Sequence, residues 1–205
     1  MLTCQAVSMV TRIDTARIPC WYPGDEAKPA PMPLLLVQAF INTIDLEKDS
    51  DLLGDPRSAT AWLVSAGLLE RDSRLSAGDT SSARAAREGI RGLLIANGGG
   101  EAATAELAPL RGIADARRPR LLVGTDGAIT LESPRTGRIE DALFGLLLVI
   151  RRAQEDGTWS RLKVCANPEC GWAYYDRSRN QQGSWCDMAT CGNRLKNRQL
   201  RARRA

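Results

Sequence analysis

The sequence predicts an α+β protein: a mostly helical N-terminal domain with one β-hairpin, then a small cysteine module ending in a basic helix. Three observations carry this. Apolar segments of helical period, with recognisable starts and stops, recur between Pro33 and Gly157. They are interrupted by "RLLVGTDGAITLES" (Arg120 to Ser133), two short β-type runs around Asp126-Gly127, a strong hairpin signal. Four of the six cysteines then fall between Cys165 and Cys191, directly ahead of an arginine-rich terminus.

Taken in order, residues 1–33 read as an irregular extension, because "IPCWYPGDEAKPAPMP" holds five prolines and little periodicity. "PLLLVQAFINTIDL" (Pro33 to Leu46) is apolar on most faces and predicts a buried helix. "DPRSATAWLVSAGLL" predicts a second, with Asp55 as N-cap, Pro56 at the first position and Gly67 as the stop. "DTSSARAAREGIRGLLIANGGG" predicts a third, capped at Asp79 or Thr80 and ended by the glycines at 98–100. In "EAATAELAPLRGIADARR" a fourth is kinked or divided at Pro109. After the hairpin, "GRIEDALFGLLLVIRRAQEDG" returns to helix and stops near Gly157, and "EDGTWSRLK" leads into the cysteine module. The domains expected are therefore the extension (1–33), a helical domain (34–157) and the cysteine module with its basic tail (160–205).

The chain has 205 residues, enough for one full-sized domain and a small module. With only ten aromatic residues the core must be aliphatic. The longest apolar run, "ALFGLLLVI", has nine residues where a bilayer needs about 20, so no membrane span is expected. "MLTCQAVSMV" lacks the basic start of a signal peptide, which makes the cytoplasm the expected location. There thiols stay reduced, and clustered cysteines point to metal rather than disulfides. Histidine is absent. That removes Ser-His-Asp and Cys-His nucleophilic machinery, HExxH sites and every mixed Cys/His zinc site. No other catalytic constellation appears, so no enzyme is expected.

Charge is unevenly shared. Ser160 to Ala205 carries ten Lys/Arg against three Asp/Glu, a formal +7, whereas Met1 to Trp159 is at −3. A polyanionic partner would meet the tail, not the body.

Cys165-x4-Cys170-x15-Cys186-x4-Cys191 forms two ligand pairs separated by a loop long enough for a hairpin. Tetrahedral zinc, with sulfur at about 2.3 Å, needs each pair to converge from one turn, and Asn167-Pro168 supplies a turn in the first. One Zn2+ per chain is the expected cofactor; an iron–sulfur cluster and four simply buried cysteines are the alternatives. Cys4 and Cys20 read as free thiols. Trp172, Tyr174, Tyr175 and Trp185 are expected to form the module's small core, with base stacking as the competing role.

Cys191-Gly192-Asn193-Arg194, with the upstream Cys-x4-Cys, "YYDRSRN" and Trp185-Cys186-x-Met188, resembles the signature of the CGNR zinc fingers. In that family the finger follows a helical domain called ABATE, whose first-helix and mid-domain motifs "LLLVQAFINTID" and "ARAAREGIRGLL" resemble. The resemblance implies a treble-type Cys4 zinc finger and a DNA-binding bacterial regulator of transcription in the stress response. In one respect the chain departs: "NQQGSW" is neutral where the family commonly carries arginines, which moves the weight of nucleic-acid contact to the C-terminal helix.

A helix from about Asn193 to Arg204 would place Arg194, Arg198 and Arg201 within an arc of roughly 60°, flanked by Asn197 and Arg204, at 100° per residue. Guanidinium groups and an amide on one face suit phosphates and guanine or adenine edges, so Asn193, Arg194, Lys196, Asn197, Arg198, Arg201 and Arg204 are the candidate DNA contacts. The competing reading is a solvated basic tail. In the body, Asn42 and Thr43 beside the stripe Arg84, Arg87 and Arg91 could hold a small anionic effector. Otherwise Asn42 bonds to backbone and the arginines pair with acidic residues. A regulator that binds DNA is thus weighed against a zinc-ribbon module for protein partners and an RNA-binding protein. A single finger gives little specificity, which favours a homodimer, yet no heptad or other interface signal is present.

Overall fold

The computed structural model describes residues 28–100 and 107–194. The chain begins its regular structure with α1 (Leu34–Ile41), in which every residue is buried, Gln38 included. An all-round apolar sequence can only be satisfied this way, and α1 forms the axis on which α3 and α5 pack. The helix ends earlier than the sequence predicts. Thr43 Oγ1 turns back to the Phe40 carbonyl at 2.7 Å, and the Thr43 carbonyl accepts from the Leu52 N–H. "IDLEKDSD" then forms a small hairpin of β1 (Ile44–Asp45) and β2 (Ser50–Asp51). Its turn is set by Asp45, whose carboxylate accepts from the backbone of Glu47 and Lys48.

α2 (Pro56–Ser65) starts as expected, with the Asp55 carboxylate accepting from the N–H of Arg57 and Ser58. α3 (Ala77–Asn97) starts earlier than expected. Its cap is Ser76, and Asp79 is the reciprocal partner three residues on, so the two close a capping box. α4 (Ala108–Ala116) has Pro109 in its first turn, where the missing N–H costs nothing. β3 (Arg120–Val123) and β4 (Ile129–Glu132) pair antiparallel, Leu121 opposite Leu131 and Val123 opposite Ile129. Gly127 takes φ +79° in their turn, which a side chain would resist. α5 (Ile139–Glu155) closes the helical body.

The main core joins the helices to the first hairpin of the cysteine module. Phe40 and Trp62 meet in a tilted pair, ring centroids 5.9 Å apart, among Leu53, Leu63, Ile90, Leu94, Leu143 and Leu146. Trp159, Leu162, Ala173 and Tyr175 belong to the same core. These last residues lie on a short 3-10 turn and on β5 (Leu162–Val164) and β6 (Ala173–Tyr175), which pair antiparallel with Val164 opposite Ala173. β5 packs on α3 and β6 on α1. The hairpin that carries the cysteines is therefore laid onto the helical body by apolar burial. Tyr175 serves that core, whereas the sequence predicts it in the small core of the cysteine module. No described helix is long and apolar enough to cross a membrane.

Candidate metal centre

The first cysteine pair sits on the turn between β5 and β6. The Cys165 N–H donates to the Trp172 carbonyl at 2.9 Å, one step beyond the last ladder pair, and the Cys170 N–H donates to the Asn167 carbonyl at 3.0 Å. The chain leaves this knuckle through Gly171 at φ +62°; a β-carbon there would also press on Leu46 and Arg91. The second pair is held by Asp187, which caps the turn Met188–Gly192 by accepting from the N–H of Ala189 and Thr190. Asp176 shapes the loop between the pairs. Its carboxylate accepts from the Ser178 N–H and hydroxyl, the Gly183 N–H and the buried Lys163 ammonium at 3.1 Å. Burial works against its charge, but these donors hold its carboxyl down at about 2.

The result is a cluster of Cys165, Cys170, Cys186 and Cys191 whose sulfurs all lie within 4.8 Å of one another. Cys186 Sγ stands 3.6 Å from both Cys170 Sγ and Cys191 Sγ. A zinc ion with four sulfurs at about 2.3 Å requires sulfur–sulfur edges of about 3.8 Å, so the donor set fits the ion. Three of the four cysteines are buried, and Trp172 and Trp185 pack against them. Such crowding separates the thiols in acidity. Hydrogen bonds from Cys170 and then Cys186 pull Cys165 down to about 2; the bond to Cys165 pushes Cys170 up to about 12, and both neighbours push Cys186 up. Four thiolates are compatible at this spacing only around a cation. The buried Asn167 donates from Nδ2 to Cys191 Sγ at 3.8 Å, a support of the ligand by a neighbouring group that resembles those around other metal sites.

The helical body matches the model of the ABATE family over residues 35–155, a family described as "Putative stress-induced transcription regulator". The chain belongs to the ABATE family. Residues 161–204 match the CGNR zinc finger, so the order is ABATE domain first and finger second, and the four-cysteine cluster is the finger's site for one zinc ion. No curated protein matches the chain.

The remaining predicted residues of this ABATE protein divide into three groups. Asn193 and Arg194 follow the last ligand in helical geometry; Asn193 Nδ2 reaches the Ala189 carbonyl, and the exposed Arg194 pairs with Glu47 at 2.5 Å. Lys196, Asn197, Arg198, Arg201 and Arg204 lie outside the described residues, as do Cys4 and Cys20.

The third group is Asn42, Thr43, Arg84, Arg87 and Arg91, which the structure gathers at the junction of body and finger. The partners of Asn42, Thr43, Arg87 and Arg91 are internal. The Arg87 guanidinium forms a paired fork with Asp51 at 2.6 and 2.9 Å and also meets Glu88 and Thr43 Oγ1. Burial favours neutral Asp51, yet the fork holds its carboxyl below the ordinary range, and the exposed Arg84 adds its charge. Arg91 binds Glu88 and the carbonyls of Gly171 and Ile41. It borders a groove of about 510 Å³ between α3 and the first knuckle, and its Nε, Nη1 and Nη2 each already hold an oxygen of the protein. Asn42 bonds to the Ala173 backbone. These are the contacts of the second reading of this group, in which arginine meets carboxylate and Asn42 meets backbone.

Asp176, Asp187 and Lys163 support the metal site and carried no assigned role in the sequence reading, which gave Asn167 a place in the first turn but no contact with a ligand. Asp187, one residue after a ligand and ahead of two backbone N–H groups, was legible as a cap. The Lys163–Asp176 pair, 13 residues apart, was not.

Proposed function

We propose that this ABATE protein is a cytoplasmic bacterial transcription regulator that binds duplex DNA through its zinc finger and the basic run from Asn193 to Arg204. One observation carries the reading: Cys191, a buried ligand, is followed three residues on by the exposed Arg194 in helical geometry. The run that follows holds Lys196, Arg198, Arg201, Arg203 and Arg204. Zinc supplies no reaction here; when bound, it ties the two cysteine turns together. The chain's own groups do the rest. Asp187 caps the second turn and aims the helix start, α1 and α3 anchor β5 and β6, and the basic side chains neutralise phosphates and release counterions.

Titration of the zinc-loaded full chain against labelled duplex DNA at several salt concentrations tests this. Binding should weaken steeply with salt and withstand competition by structured RNA. Absence of salt-dependent duplex binding would transfer the finger to a protein partner, and preferential displacement by RNA would transfer it to an RNA ligand.

A further inference from the structure

The segment Lys28 to Ala30 precedes both matched regions, which begin at residues 35 and 161, yet it is fastened to each of them. The buried Gln38 of α1 holds it from one side: Oε1 accepts from the Ala30 N–H at 2.7 Å, and Nε2 donates to the Lys28 carbonyl at 3.1 Å. The Lys28 carbonyl also accepts from the Tyr175 N–H at 2.9 Å, and the Pro29 carbonyl from Arg177 Nη2 at 2.8 Å. The segment thus runs along the edge of β6 that β5 leaves open. All of these bonds use its backbone. The Lys28 side chain goes elsewhere. Its ammonium lies 5.0 Å from the centroid of the Tyr174 ring and donates to the Trp185 carbonyl at 2.6 Å, 157 residues along the chain.

We infer that Lys28 is a positioning residue for the zinc ligand Cys186. The Trp185 carbonyl belongs to the planar peptide group whose nitrogen is that of Cys186, so a donor that fixes this oxygen fixes the plane from which the ligand departs. Cys186 is the one ligand of the four that is not buried. Among the described residues, no other donor reaches the peptide oxygen ahead of it. The knuckle of Cys165 and Cys170 is closed by its own backbone bonds, and Asn167 supports the sulfur of Cys191. On the approach to Cys186 the corresponding support comes from outside the finger. An ammonium suits the place better than a neutral donor. Its hydrogen bond is charge-assisted, and its charge offsets the net negative charge of a zinc ion held by four thiolates. The Tyr174 ring keeps it in line by cation–π attraction, and is itself fixed by its hydroxyl, which donates to the Gly183 carbonyl at 2.6 Å. The metal site is therefore completed by a residue that belongs to neither matched region.

Two readouts on the full chain test the inference: the rate of zinc transfer to a chromogenic chelator, and the thiolate-to-metal charge-transfer bands after cobalt is substituted for zinc. Lys28→Met keeps the backbone bonds of the segment and an unbranched stem over Tyr174, and removes the ammonium. It should release zinc about tenfold faster, at the lower end of the roughly 10–100-fold cost of losing an outer partner of a metal ligand. Its cobalt bands should shift or broaden, while the helical circular dichroism stays unchanged. Lys28→Arg, which returns a charge and donors above the same ring, should recover most of the wild-type rate. Zinc transfer and cobalt bands that are unchanged in Lys28→Met overturn the inference. A lowered Tm with both metal readouts intact overturns it too, and leaves the segment as a strap for the main core alone.

Discussion

Asn42 and Ala173 pair as two strands would: the Asn42 Oδ1 accepts from the Ala173 N–H at 2.7 Å, and its Nδ2 donates to the Ala173 carbonyl at 2.9 Å. Gln38, one turn earlier on α1, adds a bond to the same carbonyl at 3.1 Å. Two amides thus extend the β5–β6 ladder onto a helix, and the finger is tied to the body three residues past Cys170. Asn42→Ala leaves a donor and an acceptor of Ala173 without their shortest partner, which should cost about 1–3 kcal/mol. Asn42→Asp should cost at least as much, because a carboxylate faces the Ala173 carbonyl. Thermal unfolding measures the loss, and zinc transfer to a chromogenic chelator should quicken in both variants. Unaltered zinc transfer would mean that this latch leaves the knuckle unaffected.

Zinc removal should have a local and a shared consequence. Structural zinc sites bind with about 10–16 kcal/mol, so the knuckles and the loop between them should lose order with the ion. β5 and β6 are also held by Leu162, Ala173 and Tyr175 in the main core, and the helices do not depend on sulfur. Chelation, or Cys186→Ser, should therefore preserve most helical circular dichroism while shifting tryptophan emission to the red, because Trp172 and Trp185 pack on the cysteines. Loss of the helical signal in parallel with the ion would show that body and finger unfold as one unit.

The Lys163–Asp176 pair is almost wholly buried, with side chains 7% and 4% exposed. Removing one charge strands the other, so Asp176→Asn should destabilise by about 3–5 kcal/mol. Its pH dependence is fixed by sign. The Asp176 carboxyl is held down at about 2 and would titrate at about 3.9 unfolded, so its contribution is complete above the unfolded value and is lost as pH falls toward 2. The deficit of Asp176→Asn in urea unfolding should accordingly be constant from pH 5 to 9. A deficit that shrinks within that window would place the titration of this carboxyl far higher.

Much of this architecture was legible in the residues because it depends on local rules. The metal ligands could be read because two matched x4 pairs have few other uses, and the hairpin at Asp126-Gly127 because its turn demands a particular backbone. The third helix start was misplaced by three residues because Ser76, not Asp79, is the cap, although the two are reciprocal partners. The β1–β2 hairpin was missed because an Asp45 turn, not apolar alternation, forms it. Arg87 and Asn42 could be seen to be unusual, but not why. Asp51 and Ala173, their partners, lie 36 and 131 residues away, and only the packing of α3 on β2 and of α1 on β6 brings them into reach.

The tail gives a prediction that rests on charge and helical spacing. If about four of Arg194, Lys196, Arg198, Arg201, Arg203 and Arg204 neutralise phosphates, log affinity for duplex DNA should fall against log salt with a slope of about −3.6. Arg203→Ala, off the proposed face, should reduce that slope by at most about one phosphate's worth, and weaken all sequences alike. Arg198→Ala, at the centre of the face, should cost about 1–3 kcal/mol at the preferred site and blur the preference there, as the loss of a guanine contact does. Arg194 starts out paired with Glu47, a contact half-exposed on both sides, so phosphate must displace a carboxylate to recruit it. Glu47→Gln should therefore tighten binding modestly, by a factor within the ~0–1 kcal/mol of a surface ion pair, and more at low salt than at high. Equal effects of Arg198→Ala and Arg203→Ala on every sequence would reduce the helix to an electrostatic anchor, and DNA binding that survives deletion of Leu195 to Ala205 would remove the tail from the interface.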